Sequence, residues 1–195
     1  MSKLIFLDLE TTGLNPKRAA IIQFGAVIVG MGRPAAELDI RMRPHEDAEV
    51  NEEALTVTGV MPGDFDNPPY IDYREGKRQI EAALAGYVNR YDKLDKFFAI
   101  GYNLYAFDMP FLRALFSRCG DKYFGSWFWH PPIDLMILAA FILRNERPTL
   151  PNFKLETVCR AFGVRVDEEK QHDALYDVKL CIELWKAIME GPRDA

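Results

Sequence analysis

No run of apolar residues in this 195-residue chain reaches membrane-spanning length, although 49% of its residues are hydrophobic. A spanning helix is thereby excluded, and the apolar residues are enough for one domain with a substantial core. The N-terminus lacks the basic and apolar segments of a secretory leader and enters a strand pattern almost at once, so a cytoplasmic location is expected. Cysteine is scarce. Cys119, Cys159 and Cys181 are far apart, odd in number and without metal-ligand spacing. They read as small core residues in a reducing compartment rather than as disulfides, ligands or nucleophiles. Positive charge is in deficit, with 24 Lys and Arg against 29 Asp and Glu and a net charge of −5. That balance argues against a protein that coats duplex nucleic acid, but not against one that grips a few nucleotides at a strand end. The nearest approaches to basic clusters, Lys17-Arg18, Arg41/Arg43 and Arg144/Arg147, read as solvated faces. Of the three histidines, His45 and His130 sit beside prolines outside any motif. No repeat, linker or low-complexity segment divides the chain, so residues 1–195 read as a single domain.

What is present begins with strands. Leu4 to Leu9 is an apolar run ending in acids, Ala20 to Val29 is a second strand, Gly30 to Pro34 a turn, and Glu37 to Met42 a shorter third strand. An antiparallel meander is the simplest arrangement of the three. Asn51 caps a short helix through Val57 that Gly59 closes. Residues 60–73, rich in proline and acids, form an irregular loop or lid. Arg74 to Tyr91 places Ile80, Leu84, Tyr87, Val88 and Tyr91 at helical spacing, and Lys96 to Tyr102 is a buried strand. Helices follow over Phe107 to Cys119, with Pro110 tolerated in the first turn, and over Ile133 to Leu143, Phe153 to Phe162 and His172 to Met189. Strands first, then helices alternating with strands, make an α/β domain with a mixed sheet.

The chemistry concentrates in Asp8-Leu9-Glu10-Thr11-Thr12-Gly13-Leu14. Side chains alternate along a strand, so Asp8 and Glu10 share a face about 7 Å apart, with Phe6 beside them and Ile5, Leu7 and Leu9 opposite. Neighbouring carboxylates repel, and burial makes each harder to ionise. No Lys or Arg adjoins either, and a hard divalent cation is the economical partner for oxygen ligands. The plain alternative is an edge strand whose two acids face water. Thr11, Thr12 and Gly13 weigh against it, because a tight hydroxyl- and glycine-bearing loop lets backbone N–H groups approach a phosphate or sugar. Asp108 stands where a strand gives way to a helix, a place where a first-turn acid is common anyway. His172 and Asp177 are five positions apart at a helix start, which suits a His on the loop leading in and an Asp one turn further along. They also read as a capping His and a surface Asp. Of the two neighbouring acids, Asp173 is the better candidate for a solvated surface position.

Taken together, Asp8-x-Glu10, Asn103 with Phe107-Asp108, and His172 with Asp177 resemble, in order and spacing, the three motifs of the DnaQ-like exonucleases that carry four acids and a histidine. Glu53 to Gly59 also resembles that family's segment after the third strand. Within the family the chain is most similar to the nuclease domain of bacterial exonuclease I. Gln23-Phe24, Gly101-Tyr102-Asn103, Arg147-Pro148, Leu150 to Glu156 and His172-Asp173-Ala174 carry that likeness, which covers nearly the whole chain. Exonuclease I has further C-terminal domains that clamp single-stranded DNA; the likeness covers its nuclease domain alone and does not carry high processivity over to this chain.

The resemblance implies a ribonuclease H-like, mixed five-stranded sheet flanked by helices. It also implies a 3′→5′ exonuclease with two Mg²⁺ ions, for which Mn²⁺ would substitute, held by Asp8, Glu10, Asp108 and Asp177. His172 would be the general base, a task suited to a side chain that ordinarily titrates near neutral pH. Thr11, Thr12, Gly13 and Leu14 would hold the terminal nucleotide, with Asn103 and Phe107 lining its site, while Asp134 reads as structural. The expected substrate is the 3′ end of single-stranded nucleic acid, DNA before RNA, in DNA repair or beside a polymerase or other replication protein. Trimming of RNA ends or short oligoribonucleotides is the rival within the class. A catalytically inactive nucleic-acid- or polymerase-binding module is the rival outside it.

Overall fold

The computed structural model of the chain describes residues 2–30, 33–170 and 172–191. Among these residues, β1 (Lys3–Thr11) lies at the centre of a five-stranded sheet. On one side β2 (Ile21–Gly30) and then β3 (Arg33–Arg41) follow in antiparallel order; on the other β4 (Phe97–Gly101) and β5 (Ile133–Asp134) run parallel to it. Six α-helices surround the sheet among the described residues: α1 (Glu52–Thr58), α2 (Tyr73–Ala85), α3 (Asp108–Arg118), α4 (Leu135–Ile142), α5 (Leu155–Ala161) and α6 (Ala174–Glu190). None of them is long and apolar enough to cross a membrane.

Alternation along β1 divides its side chains between two cores. Ile5, Leu7 and Leu9 join Phe24, Ala26 and Ile28 of β2 on one face, against Ile80 and Leu84 of α2 and Phe111 and Leu112 of α3. Phe6 belongs to the other core, with Val27, Ile100, Leu135 of α4, Val158 of α5 and Val178, Cys181 and Leu184 of α6. The result is the mixed α/β sheet with helices on both faces that the pattern of elements anticipates. Asp8 and Glu10 continue the Phe6 side and so face α6.

Where elements depart from the sequence reading, local hydrogen bonding explains it. The helix expected through Tyr91 stops at Ala85, because Asn89 and Asp92 turn their side chains onto the amides of Tyr91 and Leu94 and offer the backbone a competing partner. Tyr91 is left 90% exposed. The apolar run from Ile133 begins as a strand, since Asp134 caps α4 through the Met136 amide and delays the helix by two residues. The third strand is longer than expected and starts at Arg33. The turn expected over 30–34 includes residues 31 and 32, which lie outside the described residues. The 60–73 segment contains a 3₁₀ turn (Pro62–Asp66), and its Phe65 and Tyr70 pack edge to face over Ile22 and Leu55.

α6 rests directly on the backbone of β2. A Cβ at Gly25 would stand 2.4 Å from the carbonyl carbon of Ala174, so glycine is what lets the helix start come this close. Gly25→Ala is expected to destabilise the fold by about 1–3 kcal/mol in urea titration, as overpacking against backbone does. Gly63→Ala, where a Cβ meets nothing within 4 Å, should stay within about 0.5 kcal/mol.

Candidate active site

The site opens where β1 runs out of a parallel neighbour. The ladder with β4 covers Lys3 to Phe6 and stops, while the antiparallel ladder with β2 continues through Asp8 opposite Gly25 and Glu10 opposite Gln23. The carboxyl ends of parallel strands are where α/β sheets leave a crevice. Into it comes the first residue of α3, Asp108, only 3% exposed. The loop that leads there is stapled by Asp134, whose carboxylate accepts the amides of Asn103 at 3.0 Å, Tyr105 at 3.1 Å and Met136 at 3.0 Å. From the other side, α6 delivers Asp177 in its first turn, and His172 precedes the helix with φ of 63°.

Four carboxylates and an imidazole from three separate stretches thus converge. A ligand atom of each of Glu10, His172 and Asp177 lies within 4.8 Å of the other two. Burial drives the Asp8 carboxyl well above the usual carboxylate range, and the charges of Asp108, Asp177, Glu10 and Asp173 push it further. Glu10 is pushed up to about 8, first by burial, then by Asp177, Asp108 and Asp173. Asp177 rises to about 7 through burial, against the pull of the His172 backbone N–H that its carboxylate accepts. Burial also raises Asp108 strongly, while hydrogen bonding from its own amide and from that of Leu9 opposes the rise.

Among the described residues, no Lys or Arg forms an ion pair with any of these four acids. An all-oxygen donor set that repels itself and has no cationic side chain to relieve it fits hard divalent ions.

Two clefts meet at Glu10 and Thr58. The larger, of about 330 Å³, is walled chiefly by Leu9, Thr11, Gly13, Leu14, Val57 and Phe107. Leu14 is 86% exposed at its mouth, an apolar side chain with room for a flat partner. The second, of about 180 Å³, is polar and includes Gln23, Arg41, Tyr70, His172 and Asp173. Two of the residues expected to hold a nucleotide have groups committed within the fold. Thr12 is fully buried beneath the loop, its hydroxyl donating to the Glu49 carbonyl at 2.6 Å and accepting the Ala20 amide at 2.9 Å, so it braces the loop from below. Asn103 lines neither cleft and adopts φ of 55°, with its amide given to Asp134.

Asp173 is where the sequence reading needs correcting. It is not a plain solvated acid: its side chain caps α6 at the Tyr176 amide and pairs with Arg41 at 2.8 Å. Two signals in the chain point there. An Asp directly before the Ala-Leu start of a long helix is an N-cap signature, and Gln23 is a polar residue in an otherwise buried strand.

Fold and site together define a ribonuclease H-like α/β domain with an acidic centre beside an apolar cleft. The family profile described as Exonuclease, of the RNase T type, matches residues 5–185. The chain belongs to this exonuclease family, and so to the DnaQ-like 3′→5′ exonucleases. It is similar to ribonuclease T of Vibrio campbellii, 26% identical over 207 residues that span 96% of this chain and 89% of the relative. It is also similar to exodeoxyribonuclease I of Escherichia coli, 27% identical over 206 residues that span 96% of this chain but 40% of the relative. The zinc-bound exonuclease I–single-stranded DNA complex of E. coli superposes with a TM-score of 0.78 at 23% identity, covering 98% of this chain and 41% of that one. At that identity the superposition speaks for the fold.

The raised carboxyls make stability depend on pH in a defined direction. Between the ordinary carboxylate range near ~4 and the folded values of about 7 for Asp177 and about 8 for Glu10, the folded protein binds more protons than the unfolded chain. The metal-free protein should therefore lose stability as pH rises through this window. Glu10→Gln should remove part of that loss, on the order of 2 kcal/mol between about pH 5 and pH 8. Denaturant titrations in chelator check the slope. Saturating Mn²⁺ or Mg²⁺ should raise the melting temperature more at the upper end of the window than at the lower.

Proposed function

We propose that this chain removes nucleotides one at a time from the 3′ end of single-stranded DNA, releasing nucleoside 5′-monophosphates. The observation that carries this reading is the convergence of Glu10, His172 and Asp177 within 4.8 Å, beside Asp8 and Asp108 and at the rim of an apolar cleft. Leu14 and Phe107 suit the faces of a terminal base, and Thr11 and Gly13 bring backbone close to its sugar. His172 takes the proton of the attacking water on an imidazole nitrogen as the water oxygen bonds to phosphorus and the 3′-oxygen of the preceding nucleotide departs. Two Mg²⁺ ions held by Asp8, Glu10, Asp108 and Asp177, with Mn²⁺ able to substitute, would polarise the phosphate and acidify the water. The four acids that would hold those ions offer no fixed positive charge of their own, and the exposed His172 can exchange its proton with solvent.

A second reading, trimming of RNA 3′ ends, has one observation in its favour. The match to ribonuclease T spans 89% of that relative, whereas the match to exodeoxyribonuclease I spans 40%. A catalytically silent binding module is disfavoured because all four acids and the histidine are in place. Association with a polymerase or another replication or repair protein is compatible with the site, which would serve either setting unchanged.

Side-by-side digestion of end-labelled DNA and RNA strands with Mg²⁺ or Mn²⁺ tests the proposal. DNA should shorten from its 3′ end, and His172→Ala should slow the reaction by about 10²–10⁴-fold. Asp8→Ala should slow it at least as much. Faster loss of RNA than DNA would move the assignment to the second reading, and activity undiminished in Asp8→Ala would end both.

A further inference from the structure

Glu10, Gln23 and Arg41 are successive partners across β1, β2 and β3, and so form one row on the sheet face that α6 covers. Gln23 is polar yet only 5% exposed, and both ends of its amide are engaged. Its Oε1 accepts the backbone N–H of Ala174 at 3.2 Å; its Nε2 donates to Asp39 at 2.8 Å and to Asp173 at 3.2 Å. Arg41 donates through Nη2 to the same Asp173 oxygen at 2.8 Å. The other oxygen of Asp173 caps α6 by accepting the Tyr176 amide at 3.0 Å. A single carboxylate therefore ties the start of the helix that carries Asp177 to two strands lying 132 and 150 positions earlier in the chain.

What these bonds restrain is a turn that would not hold its shape alone. His172 sits at φ of 63°, a left-handed conformation disfavoured for a residue with a Cβ, and such residues persist where their surroundings over-determine them. Its backbone N–H is taken by the Asp177 carboxylate. Gly25 allows Ala174, two positions on, to press against the β2 backbone. Charge-assisted and partly buried, the Arg41–Asp173 bond is the strongest of the ties, because it pairs two ions in a partly enclosed cleft.

We infer that Gln23, Arg41 and Asp173 form a latch that positions His172 and the first turn of α6 against Glu10, with Arg41 acting as a positioning residue. Its kinetic consequence rests on the exonuclease reading; its structural consequence does not. Arg41 lines the same cleft as His172, so direct binding of a substrate phosphate is the competing role. Its charge, however, is already met by Asp173 at 2.8 Å and Asp39 at 3.7 Å, which leaves little positive field for an anion.

The test uses the full chain and two independent readouts. In Arg41→Met, kcat on a labelled single strand should fall about tenfold with KM within about twofold, and Arg41→Lys should recover part of the loss. In a His172→Ala background, Arg41→Met should cost clearly less than in the wild type, because one of the two groups it positions is gone. Separately, amide hydrogen exchange of the metal-free protein should show the His172 N–H losing protection about tenfold while Ile5 and Leu7 keep theirs. Asp173→Asn, which retains a helix-capping side chain but loses the ion pair, should shift the same amide in the same direction even if Arg41→Met folds poorly. An equal cost in both backgrounds, a loss confined to KM, or an unmoved His172 amide in both variants would overturn the latch. Altered exchange in the variants, with a wild-type chain that shortens no strand, would leave the latch standing and remove the exonuclease reading instead.

Discussion

Carboxylates deprived of water repel one another, and every element around this site is arranged to hold four of them together in spite of that. β1 contributes two from alternate positions, α3 contributes one at its first residue, and α6 contributes one in its first turn. Burial is the largest cause of the raised carboxyls at all four positions, ahead of mutual repulsion. The opposition therefore comes chiefly from the scaffold that encloses the acids, and a scaffold of that kind must be rigid. A central strand with neighbours on both sides, two cores and a helix seated on strand backbone supplies that rigidity.

The loops follow the same rule. Asp134 commits its carboxylate to three amides in and beyond the turn that leads to Asp108, and Thr12 commits its hydroxyl and backbone beneath the turn that follows Glu10. Both side chains are taken up by these bonds, yet each fixes the path of residues that face the site. Positive φ at Asn103 and His172 marks the two approaches to the acids, one before α3 and one before α6. Unfavourable backbone in both approaches, each tied down by a carboxylate, is what a site requires when its groups must be placed to within a fraction of an ångström.

Much of this is legible in the residues because its causes are local. Apolar alternation from Leu4 to Leu9 announces β1 and the shared face of Asp8 and Glu10. Asn51 and Gly59 announce both ends of α1, which the structure places at Glu52–Thr58 with those caps. What is not legible depends on partners far along the chain. β5 is two residues long and exists because Ile133 and Asp134 find Ile100 and Gly101. Arg41 looks like one member of a loose basic pair until folding sets Asp173 beside it. The end of α2 is hidden for a different reason: Tyr87 and Val88 keep the apolar period, so the side-chain pattern outlasts the helix, and the polar side chains that stop it are recognised only in the folded chain.

The balance of charge bears on how such a site meets a polyanion. The chain carries a net charge of −5, and four of its acids meet at the centre with no Lys or Arg among their ion-pair partners in the described residues. On the exonuclease reading, the apolar cleft beside Leu14 and Phe107 would supply attraction that does not depend on charge. Stacking and packing against a base provide this, and they are available only where a nucleotide can leave its neighbours, at an unpaired end. Duplex has its bases stacked and hidden and would present mainly phosphate. If the proposed activity holds, such a cleft would favour a single-stranded terminus, and would do so without any contact that reads sequence.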